Sequence, residues 1–317
     1  MSPDSVEELV AAARKGRSRA VGRLISMVEN ASSQLREVAL ALAPHTGNAS
    51  VVGLTGAPGV GKSTMTSALV SALRERGERV GVLAIDPSSP FTGGALLGDR
   101  VRMQEHATDE GVYIRSMATR GHLGGLAWAT PQALRVLDGV GMDTILIETV
   151  GVGQSEVEIA GLADSTIVLL APGMGDGIQA AKAGILEVGD VFVVNKADRD
   201  GAQQVVRDLR NALRLAGHDA GAWREPVIST VASQGEGLDE VAQALVDHRA
   251  WLASSGELDR RRMVRAREEI EAIAMTRLRA RLRDVVGPAQ LDKLADTVVA
   301  GDTDPYAAAD QLLDALA

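Results

Sequence analysis

The stretch GAPGVGKST at residues 56–64 places three glycines, a lysine and two hydroxyl residues at fixed intervals. It follows an apolar run and opens an apolar, helix-compatible one. Such a stretch can cradle phosphate: the backbone of Gly56, Ala57, Pro58, Gly59, Val60 and Gly61 converges on phosphate oxygens, where a helix start is electropositive. Lys62 then reaches the terminal phosphates, Ser63 supplies a hydroxyl for Mg²⁺, and Thr64 continues the first turn. A second stretch, Asn195-Lys196-Ala197-Asp198, closes the run VFVVNKAD. Its aspartate can accept from the paired N–H donors of guanine, a pair that adenine lacks, so adenine would leave a buried acceptor unpaired. The Asn braces the loop and the Lys stem covers the ring. A plain polar strand end capping a helix is the alternative use of these residue types.

A magnesium site needs carboxylates on neighbouring strands. Asp86 ends the run RVGVLAID, and Asp99 lies in the segment that follows; each also has a local use, in a turn at Pro87 or an ion pair with Arg100. Glu148 ends the run DTILIET, and its carboxylate can hold a metal-bound water. Three residues later, Gly151 has the spacing at which GTP-dependent switches feel the γ-phosphate through a backbone N–H. Val150, Gly151, Gly153 and Gln154 therefore read as a sensor. Ras-like switches follow this glycine with a water-orienting glutamine, whereas here the slot holds Val152. The expectation is slow intrinsic hydrolysis that needs a partner or a conformational change. Lys182, in the segment PGMGDGIQAAKAGILEVGD, is either an exposed helix residue or part of a second switch.

The elements that must position these groups are legible in the pattern. Seven apolar runs alternate with helical segments between residues 51 and 246. Their Val/Ile/Leu content is nearly continuous, the mark of strands buried on both faces. The expected fold is α/β, a P-loop NTPase with a mostly parallel, doubly wound sheet flanked by helices. Residues 1–47 form an N-terminal helical extension, read as two helices. The first opens with Ser5 and Glu8 in capping-box spacing; the second carries Val21, Leu24, Ile25 and Val28 on one stripe. Residues 48–248 form the nucleotide domain. Residues 249–317 form a helical arm with Met263, Ala266, Ile270, Ile273, Ala274, Leu278, Leu282 and Val285 on one stripe.

Composition closes off other classes. There is no cysteine, which removes disulfides, thiolate metal sites and cysteine nucleophiles. A net charge of −9 and 2% aromatic residues argue against nucleic acid as a partner. No long apolar run suggests a membrane span or a leader, so the expected compartment is the cytoplasm.

The blocks GLTGAPGVGKST, AIDPSSPFTGGALLGDRVRM, RSMATRGHLGGLA, ETVGVGQSE and NKAD together resemble the MeaB/ArgK family of P-loop GTPases over nearly the whole chain. The resemblance implies a homodimeric GTPase chaperone, using GTP/GDP and Mg²⁺, for adenosylcobalamin-dependent methylmalonyl-CoA mutase. GTP binding and hydrolysis would gate cofactor loading and protect or reactivate the mutase, with a cob(I)alamin adenosyltransferase as a further candidate partner. By position, Lys62, Ser63, Asp86, Asp99 and Glu148 would serve phosphate and Mg²⁺, Asp198 would read guanine, and Lys182 would lie in a partner-sensing switch. The last base loop would comprise Val231, Ala232 and Ser233, with Val231 where relatives often carry serine. The helical arm would serve dimerisation. Three other functions compete. A kinase linked to arginine and ornithine transport needs an acceptor-hydroxyl base with no clear candidate here. A nickel metallochaperone is disfavoured by five scattered histidines. A non-catalytic nucleotide-holding scaffold is separated by turnover.

Overall fold

The computed structural model describes residues 5–86, 103–106, 108–118, 129–149, 155–173, 185–217 and 221–314. The chain divides into two compact units, residues 1–262 and 263–317.

In the first unit, three helices precede the sheet: α1 (Val6–Arg14), α2 (Ser18–Glu29) and α3 (Leu35–Leu42). The α1 start is a reciprocal cap: Ser5 Oγ accepts from the Glu8 amide, and the Glu8 carboxylate accepts from the Ser5 amide, both at 3.2 Å. The third helix departs from the two-helix expectation. Its stripe is short, with only Val38 and Leu42 buried, so it carries little periodic signal. The expected α2 stripe, Val21, Leu24, Ile25 and Val28, is buried throughout. At about 1.5–3 kcal/mol per side chain, that burial makes these helices part of the unit's core, not an appendage.

Seven strands follow: β1 (Ser50–Thr55), β2 (Val80–Asp86), β3 (Val112–Ala118), β4 (Thr144–Thr149), β5 (Ser165–Leu170), β6 (Val191–Asn195) and β7 (Val227–Thr230). They form one sheet in the order β3-β2-β4-β1-β5-β6-β7, parallel at every pairing. The seven apolar runs are these seven strands. Between them lie α4 (Lys62–Glu75), α5 (Thr130–Gly139), α6 (Ser155–Leu162), the single turn α7 (Ile185–Val188) and α8 (Ala202–Ala216), with α9 (Leu238–Ser255) after β7. Alternate strand residues serve opposite faces. Val51, Ile145 and Ile147 pack with α1, α2 and α5, whereas Val52, Leu54 and Leu146 pack with α4 and α9. Helices on both faces bury the sheet and leave its carboxyl edge as the place for a ligand.

The helix α10 (Glu257–Val299) begins in the first unit and enters the second, which also contains α11 (Pro305–Asp314). At Gly287 the α10 backbone leaves the helix, with φ 68° and ψ 159°. The proline that follows disfavours helical geometry at the residue before it. Among the described residues, no helix is long and apolar enough to cross a membrane.

Candidate functional site

The site is built where β1, β4 and β6 end. Gly56 leaves β1 with φ +140°, and a Cβ there would lie 2.3 Å from the Leu169 carbonyl oxygen on β5. Only glycine lets the chain turn out of the sheet at this point. Gly61 has φ +96°, and a Cβ there would lie 2.6 Å from Asn195 Nδ2; the second glycine admits the base loop. The turn delivers the chain into α4, which starts at Lys62, so the unpaired amides of the first helical turn face the loop. Lys62 is buried, and its Nζ donates to the carbonyl oxygens of Gly56 at 2.6 Å and Ala57 at 3.1 Å. Its charge is thus held inside the loop that would surround the phosphates.

Glu148 is 5% exposed on β4, beside Leu54 of β1 in register. Ser63 Oγ donates to its Oε1 at 2.6 Å, and Thr66 Oγ1 donates to its Oε2 at 3.0 Å. A helix hydroxyl and a strand carboxylate are thereby brought into contact across 85 residues of sequence. Hard oxygen donors of this kind fit Mg²⁺, which takes few protein ligands and completes its shell with water and phosphate oxygens.

The base loop is braced by four hydrogen bonds. Asn195, 3% exposed, donates from Nδ2 to the Val60 carbonyl at 2.9 Å. Its Oδ1 accepts from the Ala232 amide at 3.1 Å and from Thr230 Oγ1 at 3.2 Å. Lys196 adopts a left-handed conformation, φ 56°, rare for a residue with a side chain. Its Nζ donates to the Gly59 carbonyl at 2.6 Å. One Asn–Lys pair therefore ties the phosphate loop to both base loops. Asp198 stands exposed on the turn that follows. In the last loop Val231 and Ala232 are buried and Ser233 is exposed. Val231 exchanges backbone hydrogen bonds with Glu236 at 3.2 and 3.3 Å, so this loop is shaped by its backbone.

The structure brings Lys62, Ser63, Glu148, Asn195, Lys196 and Ala232 to one edge of the sheet. Asp86 closes β2, while its side chain, together with Asp99, Val150, Gly151, Val152, Gly153, Gln154 and Lys182, falls outside the described residues. Two contributors are missed by the sequence reading. Thr66 orients Glu148 from the turn after Ser63, and its spacing of three was the available clue. Thr230 holds Asn195 from the end of β7, a pairing across strands with no local signal.

A parallel sheet whose first strand feeds a glycine loop and a Lys-Ser helix start, with an Asn-Lys-x-Asp loop on β6, defines a P-loop nucleoside triphosphatase of the guanine-reading kind. The family model described as methylmalonyl Co-A mutase-associated GTPase MeaB matches residues 21–286, and the chain belongs to that family. A Pyrococcus abyssi protein is 47% identical over 311 residues, which are 97% of this chain and 96% of that protein. GTPase ArgK of Escherichia coli is 35% identical over 277 residues, covering 84% of this chain and 82% of its own length. The mouse protein named methylmalonic aciduria type A homolog, mitochondrial, is 38% identical over 277 residues, 81% of this chain and 66% of that protein. Among solved structures, that of a LAO/AO transport system kinase superposes with a TM-score of 0.70 at 26% identity, over 99% of this chain and 98% of its own.

Proposed function

We propose that the protein is a homodimeric GTP-hydrolysing switch that acts on an adenosylcobalamin-dependent methylmalonyl-CoA mutase, gating cofactor loading and protecting or reactivating the enzyme. The observation that carries the reading is the Ser63–Glu148–Thr66 contact on β1's neighbour, within a family described by its association with that mutase. The loop amides and Lys62 bind the phosphates. Ser63 and Glu148, with Asp86 and Asp99 by position in the sequence, hold Mg²⁺, which neutralises charge developing on the transferred phosphoryl group. Asn195 and Lys196 hold the base loop so that Asp198 meets the guanine edge. The N–H of Gly151 reports the γ-phosphate, and Val152 beside it offers no proton acceptor for the attacking water. A slow intrinsic rate follows, with the mutase completing the site. The adenosyltransferase is a further partner on this reading, and Lys182 reports nucleotide state to it or to the mutase.

A kinase reading draws support from the likeness to the LAO/AO transport system kinase. It requires a base for the acceptor hydroxyl, yet Glu148, a buried carboxylate beside the phosphate loop among the described residues, is engaged by two hydroxyls. Hydrolysis is the better fit. The test is GTP turnover by the purified chain with and without the mutase of the same organism. Slow turnover that rises several-fold with the mutase is expected. A rate indifferent to the mutase would overturn the client, and absence of turnover in both conditions would overturn the switch.

A further inference from the structure

Thr55 is the last residue of β1. It is 0% exposed, and among the described residues its Oγ1 has no hydrogen-bond partner. Leaving a buried hydroxyl unpaired costs stability, and a valine of the same shape would avoid that cost. Such a group calls for a use.

The packing of β1 against α6 shows what Thr55 faces. Val51, Gly53 and Thr55 share one face of the sheet. At Val51 the strand meets the carboxyl end of the helix: the Asp164 amide donates to the Val51 carbonyl at 2.7 Å, and Asp164 Oδ2 accepts from the Val51 amide at 3.1 Å. At Gly53 it meets Ala163 and Ile159, so closely that a Cβ there would lie 2.9 Å from Ile159 Cγ1. The helix therefore runs backward along the strand. Two more strand residues advance about 6.6 Å, a distance covered by roughly four helical residues. From Ile159 that leads to Ser155, where α6 begins. The amides of a helix's first turn have no partner within the helix, so an unpaired acceptor on the strand lies beneath a set of donors.

The carboxyl end of α6 is pinned. Besides the Val51 pair, Asp164 Oδ2 accepts from Arg262 Nη2 at 3.2 Å, and its carbonyl oxygen accepts from Arg261 Nη1 at 2.8 Å. A helix fixed at one end and resting on a glycine can pivot about that contact and shift its other end by a small amount. In sequence, α6 begins four residues after Gly151, the residue given the γ-phosphate-sensing role above.

We infer that Thr55 is a positioning residue of the switch: with GTP bound, the first turn of α6 seats on β1 and one of its amides donates to Thr55 Oγ1, and without the γ-phosphate this hydroxyl is left unpaired. The inference deepens the switch reading above and rests on it. Calorimetric titration of the full chain with GDP and with a non-hydrolysable GTP analogue, at fixed Mg²⁺, tests it together with thermal unfolding in the absence of nucleotide. Thr55→Val should weaken the analogue by roughly fivefold, the scale of one neutral hydrogen bond, and leave GDP as before. The same variant should unfold no lower than the unmodified chain, because it removes an unpaired polar group. Thr55→Ser restores the hydroxyl and should recover the affinity for the analogue. An unchanged analogue affinity in Thr55→Val overturns the inference, as does an equal loss of both ligands. A lower unfolding midpoint in Thr55→Val overturns it too, since the hydroxyl would then have a partner without the γ-phosphate. The two readings fail differently: a chain that binds both nucleotides and ignores the Thr55 hydroxyl loses only this contact, whereas an unmodified chain that binds neither nucleotide loses the guanine site and this inference with it.

Discussion

Glu148 makes the residue scale concrete, because one buried carboxylate accepts from two hydroxyls on the same face of α4. Each oxygen accepts from a different hydroxyl, so removing one donor loosens the hold on a carboxylate that stays buried. Thr66→Val keeps the volume and removes the hydroxyl. On the proposed reading, Mg²⁺ affinity of the nucleotide complex should weaken by roughly tenfold, as loss of an outer contact to a metal ligand does, with the fold intact. Nucleotide binding titrated against Mg²⁺ checks this, and an unchanged Mg²⁺ midpoint would remove Thr66 from the site. The same cluster shows what sequence could and could not say. Lys62 and Ser63 were legible because a phosphate loop demands them at fixed spacing. Glu148 was legible as the polar end of an apolar strand. Thr66 and Thr230 were not, since their partners lie 82 and 35 residues away and only the folded sheet supplies them.

At the scale of elements, every strand announced itself, because burial on both faces of a parallel sheet forces a run too apolar for any other use. The helix α3 did not, since two buried residues make no period. A different element-level feature lies at the amino end of the sheet, where α9 meets β5 and β6. His248 of α9 is fully buried, with Nδ1 2.7 Å from Ser165 Oγ and Nε2 3.3 Å from Asp190 Oδ1. This serine–histidine–aspartate arrangement is structural: all three are buried, Asp190 is gripped by both Arg261 Nη atoms at 2.9 Å, and Trp223 and Trp251 flank the ring. Burial pushes the His248 pKa down; Asp190, Asp164 and Glu225 oppose that, and Arg261 adds to it. A histidine depressed in the folded state binds its proton more readily when unfolded. Its contribution to stability is therefore full above the unfolded pKa, about 6.5, and is lost as pH falls toward the folded value. Thermal unfolding should show a midpoint falling between pH 7 and pH 5, above the range where the lowered carboxylates of Asp109 and Glu257 titrate. In His248→Gln the curve should be flatter across that window. A slope identical to the unmodified chain would mean other groups carry it.

The whole molecule poses the question of what α10 is for. A helix stripe normally ends in a core, but Met263, Ile270 and Leu278 are 59%, 68% and 51% exposed. They recur at intervals of seven and eight residues, so they share one face of the helix. Burying each would contribute about 1.5–3 kcal/mol, enough in sum to drive association. The homodimer proposed above gives this face a partner in a second copy of the same helix, because an isologous interface needs only one self-complementary patch. The double variant Ile270→Asp, Leu278→Asp places charges on that face without touching any residue of the nucleotide site. Sedimentation equilibrium should find a dimer for the unmodified chain and a monomer for the variant. GTP turnover in the absence of the mutase should persist in the variant, since the residues assigned to phosphate, metal and base all lie within residues 1–262. Two results would point elsewhere. A monomeric unmodified chain would leave the stripe to the mutase, and loss of mutase binding in the variant would then identify it as the client's docking face. A variant that stays dimeric would place the dimer contact elsewhere on the chain.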